Sequence, residues 1–494
     1  MTDQKKLDKL PWFHFVLPLL FFSIKIYTIV FHHRFEFDTD EGINLIKALL
    51  VRDGFQLYQD IWSDQPPFLT HVLAISFDLL GTSVSLGRTV ILVFATLLLW
   101  LTWLVLYLLG GVSHAYLGSL FLLAAPHYWR LSISVMIGLP CIALALGSIV
   151  STILWHSNQK KIWLFASAAL LSMSVFTKLI TLFLAPIIVV GIIALPKSDR
   201  PSWQQRLRYP ALWVAIFVLF SLGLMLWQTG TSNLDQLFTG HASARELDYY
   251  REITLSTAVS NIYSCCLLGF TIWGTILAVK KAQWSMLYFA AWSVAALLLL
   301  IDHRPVWYHQ TLLFSVPGTV MVGYTLGEFF RYRKKPFNLY SFFKQKAVLF
   351  ATLAILCGAI IIFGQQLKMK LVGIQNWLVN SQNELFNTNE YQLLQEIEQF
   401  KPQTDWIVTD LPMFAFRAGI PVPPPLAVVS NKQLQTGKIT DKVMLDVIQT
   451  YQPRQILFGR FEWSELTESI QENYRLHKQI EDLRLYLRLE RDRI

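Results

Sequence analysis

The residues of this chain best suited to chemistry are carboxylates. They lie in Asp38-Thr39-Asp40-Glu41-Gly42 and in Tyr58-Gln59-Asp60-Ile61-Trp62-Ser63-Asp64-Gln65-Pro66-Pro67. One long apolar segment precedes them and another follows, which puts them at a membrane surface. A carboxylate there can act as general base toward a hydroxyl or an amine, or can hold a divalent cation. Acids in the first turn of a helix are also favoured by capping and by the helix dipole, so spacing alone leaves a structural role open.

The elements that must position these acids are membrane helices. Of 494 residues, 54% are hydrophobic and 15% charged, too apolar a balance for an ordinary soluble protein. A net charge of +9 would suggest nucleic acid in a soluble chain. Here the basic residues bunch between apolar runs, as in cytoplasmic loops, and no nucleic-acid partner is implied. Cys141, Cys265, Cys266 and Cys357 all fall in apolar segments, so neither a disulfide framework nor a cysteine metal site is expected.

Eleven spans are predicted, beginning near residues 11, 86, 115, 136, 163, 181, 211, 259, 286, 307 and 347. The segments 1–9, 160–161, 197–208, 280–281 and 331–346 hold 17 of the 42 lysines and arginines, which places them and the amino end in the cytoplasm. The acidic stretch is then outside. Between the first two spans, Ile43, Ile46, Leu49 and Leu50 recur at helical spacing, with Asp38 and Glu41 arranged as a capping box and Gly54 as a stop. A second short apolar piece, from Phe68 to Leu80, follows Pro66-Pro67 and ends at Gly81; both are expected to be helices on the outer surface.

Residues 1–367 are thus read as a membrane domain and 368–494 as a soluble extracytoplasmic domain. In the latter, Trp406 to Asp410 and Ile456 to Phe458 read as strands. Asn389 to Phe400, Asp441 to Tyr451 and Ser464 to Tyr474 carry helical patterns, so a small α/β unit is expected. No phosphate loop, metal cluster or nucleophile elbow occurs in it, and no chemistry is assigned to it.

The chain resembles the polyprenyl-phosphate-dependent glycosyltransferases of the GT-C fold, which include the protein mannosyltransferases and the bacterial aminoarabinose lipid A transferase. The likeness rests on Asp40-Glu41 after the first span, the Gly54-to-Tyr58 step, the Asp64-Gln65-Pro66-Pro67 turn, Gly81 with Arg88 beyond, and the hydropathy layout. It implies an α-helical polytopic GT-C-like protein of the inner or plasma membrane. Such an enzyme moves a sugar, with inversion, from a polyprenyl-phosphate donor to a lipid, glycan or protein acceptor. Asp40 would be the catalytic base, with Glu41 beside it.

Candidates for the donor phosphate are Arg304, Tyr308 and His309 in the outer stretch 302–310, with Gln65, Arg88 and Lys178 behind them. An interfacial belt of aromatics and snorkelling cations would look the same in sequence. By the same resemblance, Asp64 and His241 are candidate ligands for a divalent metal, although two ligands do not specify an ion. The aminoarabinose enzyme has a lysine where this chain has Gln65, and many relatives carry an acid where it reads Met136-Ile137-Gly138-Leu139-Pro140. A lipid or solute transporter would share the many spans, but the polar residues gather on one face and no internal repeat is seen. A non-catalytic scaffold leaves the acidic surface unexplained.

Overall fold

A computed structural model describes residues 11–28, 33–194, 203–229, 236–237, 254–256, 262–303, 305–332 and 388–489. Among the described residues six helices are long and apolar enough to cross a membrane: Val84–Gly110, Gly138–Asn158, Arg206–Trp227, Tyr263–Lys280, Trp284–Ile301 and Tyr308–Arg331. The shorter apolar helices Phe13–Ile26, Val112–Ala124, Lys161–Thr177 and Leu179–Ala194 fall on four more of the predicted spans. The eleventh span, near 347–366, and the domain boundary near 367 lie outside the described residues.

Small residues let these helices approach. A Cβ placed on Gly323 would lie 2.7 Å from the Cα of Gly118, so the Val112–Ala124 and Leu312–Tyr332 helices meet backbone to backbone. At the Gly110 end of this bundle, Glu328 joins His114, Lys281 and Arg331, and Arg331 also reaches the Gly110 carbonyl. The acidic stretch lies at the other end of the same 27-residue helix, about 40 Å away.

Both helices expected on the outer surface form where the sequence places them. Thr39–Arg52 starts at Asp38, whose side chain accepts from the Asp40 amide at 3.1 Å. It stops at Gly54, whose φ of 99° suits glycine. The expected capping box does not form, because the Asp38 side chain takes the Asp40 amide and not that of Glu41, and Glu41 turns to Arg88. Phe68–Leu80 ends at Gly81 and exposes Ile75, Leu79 and Leu80, an apolar edge suited to lipid.

The carboxyl-terminal unit is a four-stranded mixed sheet in the order β1-β2-β4-β3: β1 is Ile407–Thr409, β2 Gln455–Phe458, β3 Tyr474–Ile480 and β4 Leu483–Arg488. β1 and β2 run parallel with Val408 opposite Ile456, and the other pairs are antiparallel. The helix predicted to run from Ser464 to Tyr474 ends at Ile470, and β3 takes its last residue. The unit packs on the Thr39–Arg52 helix: Leu45, Ile46 and Leu49 share one apolar core with Phe414, Phe416 and Ile420.

Candidate active site

Asp40 and Glu41 are one residue, about 100°, apart on their helix and cannot face the same way. Glu41 turns inward. Its carboxylate accepts from Arg88 Nε at 2.9 Å and Nη2 at 3.0 Å, and from the Phe37 and Val135 amides at 3.0 and 3.3 Å. Neither side chain of this ion pair has exposed surface. Arg88, expected near the donor phosphate, and Glu41, expected beside the base, are therefore found on each other.

Asp40 turns away from this ion pair and is exposed, while Asn44 and Lys47, four and seven residues on along the same helix face, are buried. The residue is exposed, but enough protein lies around it for desolvation to matter. Desolvation, with Asp38 and Asp64 nearby, pushes its pKa up to about 6 against the pull of Arg460 and Lys178. That is a suitable value for a base working near neutral pH.

Lys47, which sequence reasoning passed over, is 3% exposed and lies within electrostatic reach of Asp64 and Asp40. Burial pushes its pKa below the ordinary lysine range. Lys178, extended at the end of the Lys161–Thr177 helix, reaches the same two acids. Among the described residues neither ammonium has a hydrogen-bond partner, so both can receive an anion. The signal for Lys47 was a lone cation inside the apolar run Ile43 to Val51, two turns from Asp40.

Around this centre Tyr308 donates to Asp38 Oδ2 at 2.8 Å, and Arg130 lies over the Tyr308 ring and binds the Phe37 carbonyl. His309 is within electrostatic reach of Lys178. The Gln65 carbonyl accepts from the Tyr58 and Ser63 hydroxyls at 2.7 and 3.0 Å, fixing the proline turn. Tyr58 itself is held at φ 68°, a left-handed conformation that a bulky residue adopts only under tertiary constraint. Arg304 and His241 lie outside the described residues.

Asp64 faces the centre but is already engaged. Lys432 of the carboxyl-terminal unit donates to its Oδ2 at 2.7 Å. Among the described residues no three His, Cys, Asp or Glu side chains come together. An ammonium on the one described candidate ligand does not fit a divalent ion.

No family model matches the chain, and no curated protein does. Solved structures do. ArnT from Cupriavidus metallidurans bound to undecaprenyl phosphate superposes with a TM-score of 0.63 at 12% identity, over 96% of this chain and 98% of that one. Its apo state gives 0.62 at 12% identity, over 95% and 97%. The Archaeoglobus fulgidus oligosaccharyltransferase in the apo form gives 0.52 at 11% identity, over 92% of this chain and 70% of that one. This chain, a multi-pass helical membrane protein with a small α/β unit at its carboxyl end, thus has the GT-C fold.

Proposed function

We propose that this protein is an integral membrane glycosyltransferase that moves a sugar from a polyprenyl-phosphate donor to an acceptor at the extracytoplasmic face, with inversion. The amino end is then cytoplasmic, and the carboxyl-terminal unit lies outside. The observation that carries this reading is an exposed Asp40 flanked by two ammonium groups, Lys47 and Lys178, that have no hydrogen-bond partner among the described residues. The fold supports it, since a protein that shares that fold was solved with undecaprenyl phosphate bound.

Asp40 takes the proton from an acceptor hydroxyl or amine. The freed electron pair forms the new bond to the anomeric carbon while the bond from that carbon to the phosphate oxygen breaks, leaving its pair on the phosphate. A lipid phosphate needs stabilising charge more than a proton as it departs, and Lys47 and Lys178 supply it. Glu41, held by Arg88, positions the helix turn that aims Asp40.

Purified protein in lipid nanodiscs, given labelled polyprenyl-phosphate sugar and a lipid extract as acceptor, tests the reading. Transfer should depend on the lipid carrier and should fall about a hundred- to ten-thousand-fold in Asp40→Asn, with folding and donor binding retained. Asparagine also caps helices well, so a structural role would survive the change. Transfer close to the parent rate in that variant would sink the assignment, and turnover of a nucleotide sugar without lipid would sink the donor.

A further inference from the structure

The Asp40 carboxyl accepts no hydrogen bond among the described residues, so its aim is left to the backbone of the turn that carries it. That turn is pinned on both sides of Asp40. On one side Glu41 is locked to Arg88, and a Cβ on Gly42 would lie 2.6 Å from the Met413 backbone nitrogen, so the carboxyl-terminal unit rests directly on it. On the other side stands Asp38, which caps the helix through Oδ1. The amide it caps, at 3.1 Å, is that of Asp40 itself, and its backbone carbonyl accepts from the Glu41 amide at 2.9 Å.

An aspartate cap on a free helix end can rotate about its side-chain bonds and release the amide. Here the second oxygen is held as well. Tyr308, 270 positions along the chain, donates to Asp38 Oδ2 at 2.8 Å. The tyrosine ring is fixed in its turn, with the Arg130 guanidinium 4.8 Å from its centre and the His127 ring at 5.2 Å. Arg130 also comes within 3.9 Å of Asp38 Oδ2 and binds the Phe37 carbonyl. Two distant parts of the chain thus converge on the one carboxylate that caps the Asp40 amide. A phenol has a single proton to give. With that proton on a carboxylate at 2.8 Å, Tyr308 has none left for a phosphate oxygen, and the Met136 sulfur, at 3.6 Å, is too weak an acceptor to compete for it.

We propose that Tyr308 is a positioning residue for Asp40, acting through Asp38: its hydroxyl fixes the cap, and the cap fixes the backbone from which the base reaches the acceptor. The inference rests on Asp40 being the base, and it stands in place of the donor-phosphate role expected for Tyr308 from sequence. A displacement of about 1 Å in a catalytic group can cost about a hundredfold in rate, so a hydrogen bond two steps from the chemistry matters to it.

The test uses full-length protein in lipid nanodiscs. Tyr308→Phe keeps the ring against Arg130 and removes only the hydroxyl. Its kcat for transfer, per folded molecule, should fall about ten- to a hundredfold, while KM for the polyprenyl-phosphate sugar and affinity for undecaprenyl phosphate stay at the parent values. Hydrogen exchange read by mass spectrometry should quicken in the peptide that begins the Asp40 helix. Asp38→Ser, which keeps a good cap but has no second oxygen, should lose kcat to a similar degree. The double variant should be no slower than the slower single one, because both changes remove the same contact. An unchanged kcat, a weakened affinity for undecaprenyl phosphate, or losses that multiply in the double variant would overturn the proposal. A parent protein that transfers no sugar would defeat the transferase reading instead, while the exchange measurement still decides whether Tyr308 fixes this turn.

Discussion

The Arg88 guanidinium grips the Glu41 carboxylate through two hydrogen bonds, at 2.9 and 3.0 Å, with neither group exposed. Removing one partner of such a pair strands a buried charge, which typically costs about 3–5 kcal/mol. Arg88→Met and Glu41→Ala should therefore lower the melting temperature of detergent-solubilised protein, and their loss of transfer should track loss of folded protein. Asp40→Asn should melt like the parent. A well-folded Arg88→Met with selectively weakened donor binding would return Arg88 to the phosphate.

Lys47 and Lys178 should separate binding from stability. Each offers a charge-assisted contact to phosphate, so Lys47→Met or Lys178→Met should weaken undecaprenyl-phosphate binding about ten- to a hundredfold. Lys47→Met also removes a buried charge that has no hydrogen-bond partner among the described residues, so its melting temperature should hold or rise. Unchanged affinity in both variants would remove the phosphate from this pocket.

Docking of the carboxyl-terminal unit should hinge on Gly42. Its missing side chain leaves room for the Met413 backbone, which cannot move aside like a flexible side chain, so Gly42→Ala should cost about 1–3 kcal/mol by overpacking. Faster proteolytic separation of the two halves is the readout. Gly223→Ala, where no atom of the described residues lies within 4 Å, serves as the control and should cut like the parent.

What could be read from sequence follows the range of the interactions. The Asp38 cap, the Gly54 and Gly81 stops and ten of the eleven spans depend on neighbours within a few residues or on apolar runs, and all were legible. The β3–β4 hairpin was missed, although Leu483, Leu485 and Leu487 alternate with period two, because the charged stretch before it masks the pattern. Glu41 and Arg88 are 47 residues apart, and Asp64 and Lys432 are 368 apart. Only tertiary packing reveals that the first pair is sealed, or that a domain assigned no chemistry brings Lys432 to Asp64.

The pH dependence of transfer should follow Asp40. The base works as a carboxylate, and burial beside Asp38 and Asp64 raises its pKa to about 6, so the rate should climb through that value and level off above it. At pH 5 about a tenth of the plateau rate should remain. The sign for stability is opposite to that of a salt-bridged acid. A folded-state pKa above the unfolded value means that the folded chain binds the proton more tightly, so acidification through this group does not destabilise the protein. Activity lost at pH 5 should thus return in full when the sample is brought back to neutral pH, and acidification through Asp40 should raise the melting temperature slightly, not lower it. A rate that stays flat from pH 5 to 8 with chemistry limiting would mean that a group other than Asp40 takes the acceptor proton.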